Sequence, residues 1–319
     1  MTQETPKSVV YLAAEGFVAE LCEELGDARL ISGRLVEAPA PIRPAAWAQN
    51  TWLAPQRCNI ASISDAARRL KAIQRNWALY STSHHRRAAL IAAALPKVSA
   101  RPLAFGAPAP TAPLGAFTLL DPDTLLFSAG TSSPFKDGEV RFVEDKTAPP
   151  NRAYLKLWEA LTLFGERPRP GERCLDLGAS PGGWTFVLAS LGASVVAVDR
   201  APLAPRVAEM AGVSFTKHSA FTLAPESVGP VDWWCCDVIA YPDKTLALVE
   251  RWLASRLARR MICSVKFQGK TDLSIVRRFA SLPNSTLRHL SHNKHELTWS
   301  YRDPELPAAA AGAGPILGG

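Results

Sequence analysis

The sequence predicts an α/β fold: a Rossmann-like, mostly parallel sheet with a closing antiparallel hairpin, preceded by a small amino-terminal α+β domain. Three observations predict it. Beyond Pro150, residues 173–177, 194–199, 231–238 and 261–267 are short apolar runs rich in Val, Ile, Leu, Cys and Trp, which read as buried strands. Helical stretches separate them, one with Leu246, Val249, Leu253 and Leu257 at three- to four-residue spacing, and strands alternating with helices make βαβ units. Near the end, residues 286–290 and 296–301 are strand-like and flank the polar 291–295, as in a hairpin.

The earlier elements are less regular. Residues 9–12 read as a strand, 16–25 as an amphipathic helix, and a basic helical stretch surrounds Arg68, Arg69, Lys71 and Arg75. Residues 114–145 read as short strands and a loop. Prolines cluster from Pro96 to Pro113 and again at Pro149 and Pro150, and they suggest the boundaries. The division expected is an α+β domain over 1–110, a connector over 111–146, an α/β domain over 147–305 and a disordered, low-complexity tail over 306–319.

At 319 residues, 47% apolar and 20% charged, the chain has globular composition and length enough for two cores. The six cysteines show no Cys-x-x-Cys spacing, so no zinc site or redox dithiol is suggested, and free thiols in a reducing compartment fit. A net charge of +7 favours a polyanionic partner. The amino terminus meets acidic residues before any long apolar run, and the longest apolar run, 88–95, is too short to cross a bilayer. A soluble cytoplasmic protein without a membrane partner is expected, and a monomer.

The chemistry begins at Cys174-Leu-Asp-Leu-Gly-Ala-Ser-Pro-Gly-Gly-Trp184, a strand running into a glycine turn and then a helix, where open α/β sheets bind ligands. Ser180 occupies the second glycine of a dinucleotide fingerprint, and no Gly-Lys-Ser/Thr follows, so neither a dinucleotide nor a nucleoside triphosphate is favoured. Gly178-Ala-Ser180-Pro-Gly182 formally matches a hydrolase nucleophile elbow. Pro181, however, lacks the backbone N–H that the oxyanion hole of such an elbow requires. A turn that merely packs a helix on a strand is the bland reading. An S-adenosylmethionine site accounts for more: Asp176 and the turn would hold the amino-acid end, and Gly182 and Gly183 would allow close backbone approach. Asp199, 23 residues on and ending the next strand, would accept from the ribose hydroxyls.

Asp176-Leu-Gly178-Ala-Ser180-Pro181-Gly182-Gly183-Trp184 closely resembles the cofactor motif of FtsJ-like ribose 2′-O-methyltransferases, and the likeness runs over about residues 130–302. Four residues follow that family's Lys-Asp-Lys-Glu order: Lys156 in a helix before the first strand, Asp237 near a strand end, Lys266 ending a strand, and Glu296 opening the last one. A ribose hydroxyl is a poor nucleophile at neutral pH and needs a positioned base. The resemblance gives that part to Lys266 and implies a Rossmann-like fold without a metal. Taken singly, each residue also fits a solvated surface or a simple ion pair.

The segments Ser132-Ser-Pro-Phe-Lys-Asp-Gly138, Pro149-Pro-Asn-Arg-Ala-Tyr-Leu-Lys156 and Trp234-Cys-Cys-Asp-Val238 resemble the branch of this family that methylates a cytidine in 23S rRNA and carries an amino-terminal THUMP-containing region. Here any such region is reduced. The resemblance implies 23S rRNA as partner, Ala153 close to the cofactor, and Ser219 where the family usually presents an aspartate toward the adenine. Arg68, Arg69, Lys71, Arg75, Arg86 and Arg87, with Trp77 and Tyr80 among them, could bind phosphates and stack bases, and Lys270, Arg277 and Arg278 follow the catalytic strand. The rivals are a 2′-O-methyltransferase of another RNA, a base methyltransferase, whose Asn/Asp-Pro-Pro-Tyr/Phe signature is missing after Asp237, and a non-catalytic cofactor-binding protein, which would have no need of all four tetrad residues.

Overall fold

The computed structural model describes residues 7–305, so the tail at 306–319 lies outside the described residues. The chain divides into two compact units: one runs to Leu103 and resumes over Pro108–Arg141, the other holds Ala104–Ala107 and everything from Phe142 onward.

The first unit carries β1 (Ser8–Ala13), α1 (Val18–Leu25), β2 (Arg29–Ser32), β3 (Leu35–Pro39), β4 (Ala48–Trp52), β5 (Gln56–Asn59), α2 (Ile63–Ile73), β6 (Trp77–Leu79), α3 (His85–Ala93), β7 (Gly115–Leu119) and β8 (Thr124–Ser128). They form two four-stranded sheets, ordered β2-β3-β1-β4 and β5-β8-β7-β6. Residues 115–128, read from the sequence as connector, thus form the centre of the second sheet, because Phe117, Leu119, Leu125 and Phe127 bury one face against α2 and α3. Trp77 belongs to this same core and donates its indole N–H to the carbonyls of Leu70 and Gln74. Tyr80 is half-buried, its hydroxyl accepting from the Arg34 N–H. The Trp77 ring is not free to stack on a base, which corrects that expectation for it: apolar bulk drew it into the core.

The second unit carries α4 (Tyr154–Phe164), β9 (Arg173–Leu177), α5 (Gly183–Ser190), β10 (Ser194–Asp199), α6 (Pro205–Ala208), β11 (Val213–Lys217), α7 (Pro225–Val228), β12 (Val231–Cys236), α8 (Pro242–Ser255), β13 (Ala258–Lys266), α9 (Leu273–Ser281), β14 (Ser285–Arg288) and β15 (Glu296–Arg302). Its seven-stranded sheet has the order β11-β10-β9-β12-β13-β15-β14. The pairs from β11 to β13 are parallel, and β15 closes antiparallel to both β13 and β14. The four apolar runs are the four central parallel strands, and the hairpin stands where the alternation placed it. Strand β11 shows no such run because it is an edge, with residues 214–217 exposed.

Trp233, Trp234, Trp252 and Trp299 are fully buried in this unit. At roughly 25 cal/mol per Å², an aromatic side chain contributes about 4–6 kcal/mol of transfer free energy, an upper bound against an extended chain. The six cysteines are free thiols, and Cys174, Cys235, Cys236 and Cys263 lie buried in β9, β12 and β13. The order reverses between β9 and β12, so the carboxyl ends of these strands flank the crevice where such sheets take ligands.

Candidate active site

The turn after β9 has the backbone its glycines were expected to supply. Gly178 sits at φ +76°, and a Cβ there would stand 2.8 Å from both the N and Cα of Val238, so the turn lies flat against the chain leaving β12. Gly182, at φ +115°, caps α5 and leaves room only for Val207. The Trp184 indole N–H donates to the Ala153 carbonyl at 3.0 Å, which locks the turn to the start of α4.

This turn walls a cavity of about 1000 Å³, large enough for a nucleoside cofactor and part of a nucleotide. Gly178, Ser180, Pro181, Asp199, Ser219, Asp237 and Lys266 line it. Asp199 accepts from the Ser180 N–H at 3.0 Å through one carboxylate oxygen and from the Ala201 N–H at 2.9 Å through the other. Each oxygen keeps a lone pair for a hydroxyl. The Ser219 Oγ accepts weakly from the Phe221 N–H at 3.3 Å, leaving its own hydrogen to donate.

Asp176 stands behind the turn rather than in the wall. It is fully buried in the central strand; Oδ2 accepts from the Thr185 hydroxyl at 2.6 Å, while Oδ1 has no partner. Burial pushes its carboxyl from 3.8 up to about 7, the Thr185 hydrogen bond opposing.

The four candidate catalytic residues converge. Lys156 Nζ lies 2.9 and 3.0 Å from the two Asp237 carboxylate oxygens and 3.2 Å from Glu296 Oε1. Lys266 Nζ donates to the Asp237 backbone carbonyl at 2.7 Å and lies 3.0 Å from its Oδ1. The pairing of Lys266 opposite Glu296 in the β13–β15 ladder sets this geometry. Burial disfavours the charged form of Lys156, yet Asp237 and Glu296 outweigh it and hold the ammonium above the usual lysine range. Burial likewise opposes the Asp237 carboxylate, and the two lysines overcome it and hold its pKa below the usual range.

Asp237 and Lys266 line the cavity; Lys156 holds Asp237 and is itself held by Glu296, neither of them in the lining. Ala153, Asp176, Gly182, Gly183 and Trp184 likewise support the wall from outside it. Two residues with no part in the sequence reading belong to the site. Asn151 lines the cavity, and its Oδ1 accepts from the Ala153 N–H at 3.0 Å. Glu159, buried, accepts from the N–H groups of Ser291 and His292 at 2.8 and 3.0 Å and fixes the loop leading to Glu296. Asn151 lay inside a motif already quoted and was legible as an Asx turn; Glu159 carried no local signal. Among the described residues no group of three or more His, Cys, Asp or Glu is gathered to hold a metal, and no helix is long and apolar enough to cross a membrane.

A reversed-order parallel sheet closed by an antiparallel hairpin, with a glycine turn, Asp199 and a Lys-Asp-Lys-Glu cluster at its carboxyl edge, is the architecture of a Rossmann-like methyltransferase fold. Residues 149–279 match the FtsJ-like methyltransferase family. The chain is 38% identical over 157 residues to "Ribosomal RNA large subunit methyltransferase M" of Halorhodospira halophila, covering 47% of this chain and 46% of that one. It is 32% identical over 196 residues to the protein of that name from Pseudomonas putida, covering 56% and 54%. The chain thus spans about half the length of the curated relatives it matches. A solved ribosomal RNA methyltransferase of Plasmodium falciparum is similar at TM-score 0.38 and 13% identity, over 48% of this chain and 97% of that one. Domains of this class take S-adenosylmethionine as methyl donor.

Proposed function

We propose that the chain methylates the 2′-hydroxyl of a ribose in RNA, and that its substrate is the large-subunit ribosomal RNA named for its relatives, 23S rRNA in bacteria. The observation that carries this reading is the exposure of Lys266 and Asp237 to the cavity that Asp199 and Ser219 also line, with Lys156 and Glu296 behind them. When bound, S-adenosylmethionine supplies an electrophilic methyl group on a sulfonium. Asp199 would accept from its ribose hydroxyls, Ser219 would donate toward its adenine, and Gly178, Ser180 and Pro181 would give its amino-acid end a close backbone wall, which Asn151 and Trp184 brace.

Lys266 would take the proton from the ribose 2′-hydroxyl as that oxygen bonds to the methyl carbon and the carbon–sulfur bond breaks, S-adenosylhomocysteine leaving. Asp237 accepts from both lysines and fixes where the Lys266 amine points. Lys156 keeps its charge, because two carboxylates hold it, and Glu296 fixes Lys156 in turn. The first unit presents the RNA: Lys71, Arg75 and Arg86 are exposed there, and Lys270 and Arg277 are exposed in the second unit. Arg68 and Arg69 pair with Asp65, and Arg87 pairs with Asp123, so these three are weaker phosphate ligands.

The test is transfer of labelled methyl from S-adenosylmethionine to ribosomal RNA followed by alkaline digestion. Label in an alkali-resistant dinucleotide is expected, since a 2′-O-methyl blocks cleavage at its nucleotide. Label released in mononucleotides, the mark of a base methyl, would overturn the reading.

A further inference from the structure

A second pocket, of about 300 Å³, opens in the methyltransferase unit between α4 and the β14–β15 hairpin. One sheet face supplies its floor: Thr286 and Arg288 stand opposite Ser300 and Thr298 in the ladder, and Arg302 follows on the same face. Phe164 of α4 closes the other side.

The two arginines differ in their partners. Arg302 lies 2.6 Å from Glu166 Oε1, donates to the Phe164 carbonyl at 3.3 Å and sits 4.7 Å above the Phe164 ring. The Arg288 side chain, half-buried, has no hydrogen bond or ion pair among the described residues. Burial pushes its guanidinium below the usual arginine range, against an opposing pull from Glu159. That carboxylate is itself taken up by Ser291 and His292.

A half-buried guanidinium without a protein partner still carries part of the cost of leaving water, which an anion entering the pocket would offset. A guanidinium presents a planar fork that matches a phosphate bidentately. The Thr286 and Ser300 hydroxyls stand 2.8 Å apart, and since one donates to the other, one hydrogen of the pair is free for a ligand. We propose that this pocket is an oxyanion site that takes a phosphate group, with Arg288 as its bidentate ligand and the Thr286–Ser300 hydroxyl pair as its further donor.

The site lies on the same seam as the catalytic cluster. Along α4, Lys156 precedes Ala160 by one turn, and along β15, Glu296 precedes Thr298 by two residues, so the pocket follows the cluster between the same two elements. A phosphodiester of the RNA and free phosphate share this chemistry; the first source rests on the proposed RNA methylation.

The test is thermal unfolding of the full chain in chloride buffer titrated with inorganic phosphate at constant ionic strength, on wild type, R288M and R288K. Wild type is expected to gain about 5–10 °C at a hundredfold excess over Kd. R288M should lose that response and melt no lower than wild type without phosphate, and R288K, with its charge but no fork, should bind several-fold more weakly. A wild type that ignores phosphate, an undiminished response in R288M, or an R288M that melts well below wild type in chloride overturns the site. Phosphate that raises the RNA KM several-fold at constant kcat, in wild type but not R288M, identifies the phosphodiester as occupant; stabilisation without that effect identifies free phosphate. Failure to methylate RNA at all would remove the proposed function and leave the melting result standing.

Discussion

Asp176 gives a pH dependence that a surface carboxylate cannot. Its carboxyl is fully buried, Oδ1 has no partner, and its pKa rises from 3.8 to about 7. A carboxyl raised on folding contributes stability in full below its unfolded pKa and loses it as pH climbs through its folded one, here between about 4 and 7. A difference of roughly three pKa units corresponds to about 4 kcal/mol at pH 8. Asp176→Asn removes that cost. The asparagine carbonyl can still accept from Thr185, but its NH₂ replaces the orphaned oxygen as a buried donor without a partner, costing about 1–3 kcal/mol. The variant is therefore expected to be more stable than wild type by about 1–3 kcal/mol at pH 8, and less stable by about 1–3 kcal/mol at pH 4. Urea unfolding at half-unit pH steps from 4 to 8.5, without cofactor, measures both curves. A difference between wild type and variant that stays constant over this range would refute the reasoning.

The other expectations concern positioning and chemistry. Lys266→Ala should lower single-turnover methyl transfer by roughly 10²–10⁴-fold, the usual contribution of a general base, with calorimetric cofactor affinity within about threefold of wild type; full activity would sink the assignment. Gly178→Ala forces a Cβ against the Val238 backbone at a positive φ, so cofactor affinity by calorimetry should fall at least tenfold by rough estimate, while the far-ultraviolet spectrum stays native. Glu159→Ala strips two backbone N–H groups of their acceptor and should cost about 2–4 kcal/mol in urea unfolding, with a larger loss of kcat than of cofactor binding because the loop before Glu296 is freed.

Much of this could be read in advance because it is written locally. The central strands β9, β10, β12 and β13 are buried on both faces, and burial on both faces demands the unbroken apolar runs that mark them. Strand β11 pairs on one side only, with Ser214, Phe215, Thr216 and Lys217 exposed, so no such demand shaped its sequence. The glycine turn was legible because a positive φ and a backbone-to-backbone approach admit few other residues. The support of the loop before Glu296 was not: Glu159 meets Ser291 across 132 residues, and no pattern near Glu159 announces that meeting. Trp77 was misread for the converse reason, since an aromatic among arginines looks the same in sequence whether its ring faces solvent or, as here, the core.

The Lys-Asp-Lys-Glu cluster shows how two lysines on one carboxylate can be held differently. Lys156 reaches both oxygens of Asp237 and also Glu296, so its charge is compensated on two sides. Lys266 shares Asp237 Oδ1 with it and gives a second hydrogen bond to a neutral backbone carbonyl. The lysine with the weaker claim on the carboxylates is the one that faces the cavity. The lysine proposed as the base is thus the one that reaches the cavity, while the other is taken up by two carboxylates behind it.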